Sequence, residues 1–101
     1  MDKNKPILTI SVAAGLLKLH PRTLMLYEKS GFTSPHRTKT KRRLFSINDL
    51  EVLQFIKYLT QEVGLNLQGV KKIGEAIEVC QKEGINLKKI LFPGFKPKKL
   101  I

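Results

Sequence analysis

The 101-residue sequence predicts a mainly α-helical fold with one small β-hairpin. Two observations carry that expectation, and a third bears on the partner. Apolar residues recur at helical spacing in four separate stretches, each bounded by a capping residue or by Gly or Pro. One stretch, from Phe32 to Phe45, loses that period and alternates instead. Nineteen Lys and Arg stand against eight Asp and Glu, a net charge of +11. Such a charge repels itself and is tolerated where a polyanion neutralises it, which makes nucleic acid the first candidate partner. An anionic membrane surface ranks below it, because the chain has no long apolar run and no signal-like segment. The single cysteine, Cys80, excludes an internal disulfide and suits a reducing cytoplasm.

Residues 1–8 read as a short polar lead, expected to be flexible. Ser11 is expected to cap a first helix that turns Val12, Ala13, Leu16 and Leu17 inward. Leu19-His20-Pro21 marks a break and a restart, with His20 as a turn or capping residue and Pro21 at the first position of a new helix. That second helix covers 21–30, turns Leu24 and Tyr27 inward, and stops at Gly31. Two short helices joined by a tight turn form a helix-turn-helix. Beyond Ser34-Pro35 the pattern becomes that of a hairpin over 36–45. Its tip and return strand carry Arg37, Lys39, Lys41, Arg42 and Arg43, and Leu44-Phe45 anchor it. A third helix is expected from Ile47 towards Glu62, with Leu50, Leu53, Ile56 and Leu59 as its apolar stripe and Gly64 as its stop. Asn66 caps a fourth helix from Leu67 towards Glu83, which carries Val70, Ile73, Ile77 and Cys80 on one face before Gly84. "GLNLQGVKKI" and "GINLKKILF" echo each other as two similar helix starts would. The final segment, around Phe92-Pro93-Gly94-Phe95, reads as an extended basic tail with two aromatic anchors.

Helix, turn, helix, basic hairpin and two further helices is the order of a winged helix-turn-helix with a short C-terminal extension. At residue level the first half resembles the DNA-binding domain of the MerR family of bacterial transcription regulators. The resemblance rests on Ile10-Ser11-Val12-Ala13, Pro21-Arg22-Thr23-Leu24, Tyr27-Glu28, Gly31-Phe32, Ser34-Pro35, Arg37-Thr38, Arg43-Leu44-Phe45-Ser46 and Asp49-Leu50. Within that family, "GLNLQGVKKI" and the His-Pro at the turn are most similar to the heat-shock repressor branch, HspR. The resemblance implies that the second helix enters the major groove and that the hairpin is a wing on the backbone. It places Arg22 and Thr23 at the front of the recognition helix, the Tyr27 hydroxyl against a phosphate, Arg43 as the wing arginine, and Ser11 at a helix start facing a phosphate. Met25 stands where the family usually has Arg, so a charged contact gives way to a thioether suited to a thymine methyl.

The resemblance also implies a long C-terminal dimer helix and an effector region beyond it. After Gly84 this chain has neither a heptad run nor a cysteine cluster, and Pro93 and Pro97 oppose a long helix. No effector, metal or other cofactor is therefore expected, and the scattered Ser, His and carboxylates suggest no catalysis. The expected organisation is a lead over 1–8, the winged domain over 9–83 and a basic, apolar extension over 84–101. The expected function is sequence-specific binding of double-stranded DNA, with repression as the outcome and the cytoplasmic nucleoid as the place. An excisionase-like architectural factor and a basic RNA- or protein-binding adaptor are the rivals. A homodimer is expected through Ile73, Ile77, Cys80, Leu87, Ile90, Leu91, Phe92 and Phe95, with cooperative binding on DNA as the alternative.

Overall fold

The computed structural model describes residues 2–101; Met1, part of the expected lead, lies outside the described residues. The chain divides within its third helix into two compact units: one runs to Gln54 and includes Lys99–Ile101, the other covers Phe55–Lys98. The elements in order are β1 (Leu8–Thr9), α1 (Ile10–Leu17), α2 (Pro21–Lys29), β2 (His36–Arg37), β3 (Arg43–Phe45), α3 (Ile47–Tyr58), a π-helical stretch Leu59–Val63, α4 (Leu67–Lys82) and α5 (Leu87–Leu91).

In the first unit, α1 begins earlier than expected. Its cap is Thr9, whose Oγ1 accepts the Val12 amide at 3.3 Å, while Ser11 lies exposed inside the first turn. Both residue types cap helices well. Thr9 wins because it is also the last residue of a strand, already extended at φ −68° and ψ 161°. The other end of α1 closes in a Schellman motif: Leu19 donates to Ala14 O at 3.0 Å and Lys18 to Gly15 O at 3.2 Å. Lys18 takes the left-handed position at φ 56°, a conformation that costs a residue with a Cβ roughly 1–2 kcal/mol. His20 then caps α2 by accepting the Arg22 amide on Nδ1 at 3.1 Å, and Pro21 enters at the first helical turn, where its missing N–H costs nothing. The turn of the helix-turn-helix is thus specified at every residue. A second Schellman motif ends α2, with Gly31 at φ 84°, Phe32 donating to Tyr27 O at 3.0 Å, and the two rings meeting edge to face at 6.2 Å.

The hairpin is as expected, but it belongs to a three-stranded antiparallel sheet of order β1-β3-β2. Leu8 pairs with Phe45 and Thr9 with Leu44 on one side; His36 pairs with Leu44 and Arg37 with Arg43 on the other. The lead expected to be flexible is tied down by the same pairing. Ile7 donates to Phe45 O, the Asn48 amide to Lys3 O, and the Asn48 side chain to Asn4. A reciprocal capping box starts α3: the Asp49 amide donates to Ser46 Oγ at 3.1 Å and the Ser46 amide to Asp49 Oδ2 at 2.8 Å. Ala13, Ala14, Leu17, Leu24, Tyr27, Phe45, Leu50 and Leu53 are the buried residues of this unit's core. Two alanines in one helix turn allow α1 to pack closely on its neighbours α2, β1 and β3.

In the second unit the expected third helix stops being α-helical at Tyr58 and continues as a π turn to Gly64, at φ 85°, with Leu65 donating to Leu59 O at 2.9 Å. The sequence echo is a structural one. Gly64 and Gly84 are both left-handed, and Asn66 and Asn86, two residues later, both cap a helix, accepting the amides of Gly69 at 2.8 Å and Lys89 at 3.1 Å. The tail after α5 folds back within this unit, where Phe55 and Tyr58 meet Phe92 and Phe95 at ring separations of 5.0–6.0 Å. Lys88 Nζ sits 4.3 Å from the Phe55 ring centre. No helix among the described residues is long and apolar enough to cross a membrane.

Leu24 is fully buried and Met25 beside it is exposed. Leu24→Ala should therefore cost about 2–5 kcal/mol, because burial is forfeited and a cavity is left behind. Met25→Ala should stay within about 0.5 kcal/mol. Urea unfolding of the two variants checks this, and similar losses of stability in both would mean that α2 is rotated about its axis.

Candidate nucleic-acid interface

The two faces of α2 follow from its spacing. Leu24 and Tyr27 turn inward, while Arg22, Met25, Leu26 and Lys29 are exposed. Met25 and Leu26 are 39% and 47% accessible, an unusual amount of apolar surface on a helix whose neighbours are cationic. Thr23 is half-buried at the front of the helix. Arg22 is exposed there and its guanidinium has no protein partner among the described residues. The Tyr27 ring is buried, yet its hydroxyl donates to nothing among the described residues. Since no buried side-chain oxygen or nitrogen among the described residues lacks a partner, that hydroxyl reaches the surface. Tyr27 can thus serve the core with its ring and an outside acceptor with its oxygen.

The wing is short and closed. Thr38 donates to Arg42 O at 2.9 Å, Lys41 to Thr38 O at 2.9 Å, and Lys41 takes φ 67° at the tip. Lys39, Lys41 and Arg42 project from this turn, exposed and without side-chain partners among the described residues. The other two cations of the run behave differently. Arg43 Nε lies 2.8 Å from Glu28 Oε1, and Arg37 Nη2 lies 3.1 Å from the same oxygen and 3.3 Å from Oε2. Accessibility is 22% for the Glu28 side chain, 24% for Arg43 and 40% for Arg37, so the shared carboxylate is the better-covered end of both pairs. Arg37 Nη1 also donates to Lys41 O at 2.9 Å. Five basic residues that look alike in sequence are therefore split into three that point outward and two that hold the wing to α2.

Sequence reasoning named Glu28 only as part of a motif and gave it no role. A signal was there to be read: between Lys3 and Asn48 it is the sole carboxylate among ten Lys and Arg. Ser11, the remaining DNA-contact candidate, lies exposed on the first turn of α1. All these candidates fall in the first unit, and all the assembly candidates fall in the second. Of the latter, Ile73, Ile77, Cys80, Leu87, Phe92 and Phe95 are half-buried, whereas Ile90 and Leu91 are 64% and 48% accessible. The described residues hold no group of three or more His, Cys, Asp or Glu placed to bind a metal ion.

Comparison with known proteins agrees with this geometry. Residues 8–77 match the MerR HTH family regulatory protein domain, a span that begins at β1 and ends within α4. A Streptomyces coelicolor protein named as a putative heat shock protein HspR is 43% identical over 75 residues, covering 74% of this chain and 50% of that protein. The HTH-type transcriptional regulator GlnR of Bacillus anthracis is 39% identical over 71 residues, covering 70% of this chain and 54% of its own. The chain spans about half the length of the curated relatives it matches. With a family match across most of its length and two relatives well above 30% identity, the chain belongs to the MerR HTH family of regulatory proteins.

Proposed function

We propose that this chain is a sequence-specific regulator of transcription, a repressor acting in the nucleoid, that binds double-stranded DNA with α2 in the major groove and the wing on the flanking backbone. The observation that carries this reading is the pairing of an outward α2 face with a closed wing whose three tip cations lack partners among the described residues. Phosphate contacts set register and base contacts select sequence, and these two surfaces divide the work that way. Arg22, alone at the front of α2, has the reach and the donor geometry for a guanine edge. Met25 and Leu26 can only pack, as against a thymine methyl. Ser11 and the Tyr27 hydroxyl are assigned to phosphates. The RNA-binding rival loses support from the same residues: none of the seven Phe and Tyr is exposed, and single-stranded recognition needs exposed rings to stack on.

Regulation by such a module normally takes two copies, whose spacing adds specificity. Because Phe92 and Phe95 are engaged with Phe55 and Tyr58, we assign self-association to the exposed Ile90 and Leu91 rather than to the whole C-terminal set.

Replacing Lys39, Lys41 and Arg42 together by Gln should reduce the slope of log K against log salt by roughly 0.9 for each phosphate left without its cation. A slope that does not change would remove the wing tip from the interface. Arg22→Ala should cost about 1–3 kcal/mol on a selected site and relax preference at one base pair, measured by binding to single-substituted duplexes. Equal reductions on selected and random DNA would reassign Arg22 to the backbone. For assembly, Ile90→Asp with Leu91→Asp should convert a dimer to a monomer in sedimentation velocity; an unchanged species distribution would locate self-association elsewhere.

A further inference from the structure

Between Lys3 and Asn48 the chain has one carboxylate among ten Lys and Arg, and that carboxylate, Glu28, is on the proposed recognition helix. Simple electrostatics makes it a liability, since a negative charge beside a polyanion weakens binding to every sequence. Its contacts point to what it does. Glu28 Oε1 is shared by Arg43 Nε, on β3, at 2.8 Å and by Arg37 Nη2, on β2, at 3.1 Å. Both strands of the wing are thus held by one side chain of α2. The second arm of Arg37 continues the chain to Lys41 O at 2.9 Å, the backbone of the left-handed tip residue. From the recognition helix to the wing tip there is an unbroken line of charge-assisted hydrogen bonds, and a planar guanidinium that donates through Nη2 to Glu28 and through Nη1 to Lys41 O fixes direction as well as distance.

We propose that Glu28 is a positioning residue that sets sequence discrimination, by locking the wing in register with the recognition helix and by withdrawing Arg37 and Arg43 from the DNA. This inference rests on the DNA-binding function proposed above. The physical reasoning concerns register. A wing free to pivot finds phosphates equally well on any duplex, so its contacts add affinity without information. A wing fixed to α2 meets phosphates only at a set offset from the bases that α2 reads. Its contacts are then complete only when α2 is seated on its own sequence. Withdrawing two of five wing cations also lowers sequence-independent attraction, and the operator-to-random ratio rises from both sides.

The test is Glu28→Gln, measured by fluorescence anisotropy on a duplex selected from a random library by the wild-type protein and on an unselected duplex. If Glu28 acts only as a charge, affinity for both duplexes rises together and their ratio stays constant. If it positions the wing, binding to the unselected duplex strengthens and its salt slope steepens by about one to two, as Arg37 and Arg43 are released. The ratio of selected to unselected affinity should then fall by roughly tenfold, the scale of coupling within one ion-pair network. A mere drop in stability would lower the active fraction on both duplexes alike and leave the ratio unmoved. Should Glu28→Gln not fold, as judged by circular dichroism, Arg37→Gln with Arg43→Gln breaks the same link from the wing side. A preserved ratio in either folded variant overturns the proposal. A wild-type protein with no discrimination would instead count against the proposed function itself.

Discussion

The first unit depends on the burial of Phe45 at the end of a strand that is bonded on both edges. Phe45 is fully buried, and the residues on either side of it each perform a separate task. Its own carbonyl accepts from Ile7, and Leu44 pairs with Thr9 on one side and His36 on the other. Arg43, two residues earlier, reaches Glu28; Ser46, one residue later, opens α3 through its capping box with Asp49. Alternation along a strand sends neighbouring side chains to opposite faces, so a one-residue slip would turn Phe45 outward and bring its neighbours in. Such a slip would unseat the core, the sheet and the helix start together. Burying a large ring therefore fixes the register of the wing, although it lies well away from the wing tip.

With the register set, electrostatics decides what the wing can do. Under the proposed function, a unit this rich in cations has no shortage of attraction for DNA; what it needs is a way to make attraction depend on position. The proposed role of Glu28 is to supply one through the division of the basic run. Ion pairs as accessible as these add little to stability, typically up to about 1 kcal/mol each, because water screens them. Their contribution is geometric. Two strand arginines on a single carboxylate restrict the angle between wing and α2 far more than either would alone.

Much of this was legible in the sequence because it is written in short-range chemistry. His20 before Pro21, Gly31 after Ser30, and Asn66 after Gly64 are local signals, and each marks the boundary it was expected to mark. What was missed is long-range or ambiguous. Strand β1 is two residues long, too short to show alternation, and it exists only because β3, far along the chain, offers a free edge. That unseen strand also moved the cap of α1 from Ser11 to Thr9 and ordered the lead. The π turn after Tyr58 has no recognisable local pattern. The separation of Arg37 and Arg43 from Lys39, Lys41 and Arg42 needed strand pairing to decide which guanidinium faces α2. On the assembly side the sequence suggested a homodimer surface that included Phe92 and Phe95, whereas the rings of those two residues fold back onto Phe55 and Tyr58, a long-range contact that no local pattern announces.

Under the proposed function, the exposed pair Met25 and Leu26 determines what kind of specificity remains for α2. Neither can accept or donate a useful hydrogen bond, so neither can tell guanine from adenine by the pattern of groups in the major groove. Both can tell thymine from cytosine, because only thymine carries a methyl group there. Arg22 is then the single long donor at the front of the helix. A sequence read by one bidentate arginine and an apolar patch contains few hydrogen-bonded positions, and each apolar contact discriminates less than a bidentate pair does. Such a helix needs help from elsewhere to separate its site from random DNA. The help available within the same unit is the wing, and its contacts carry information only while the line from Glu28 through Arg37 to Lys41 holds it at a fixed offset. The apolar recognition face and the lone carboxylate on α2 are thus two parts of one arrangement. The fewer the bases α2 can read by hydrogen bonding, the more the selection depends on the register that Glu28 imposes.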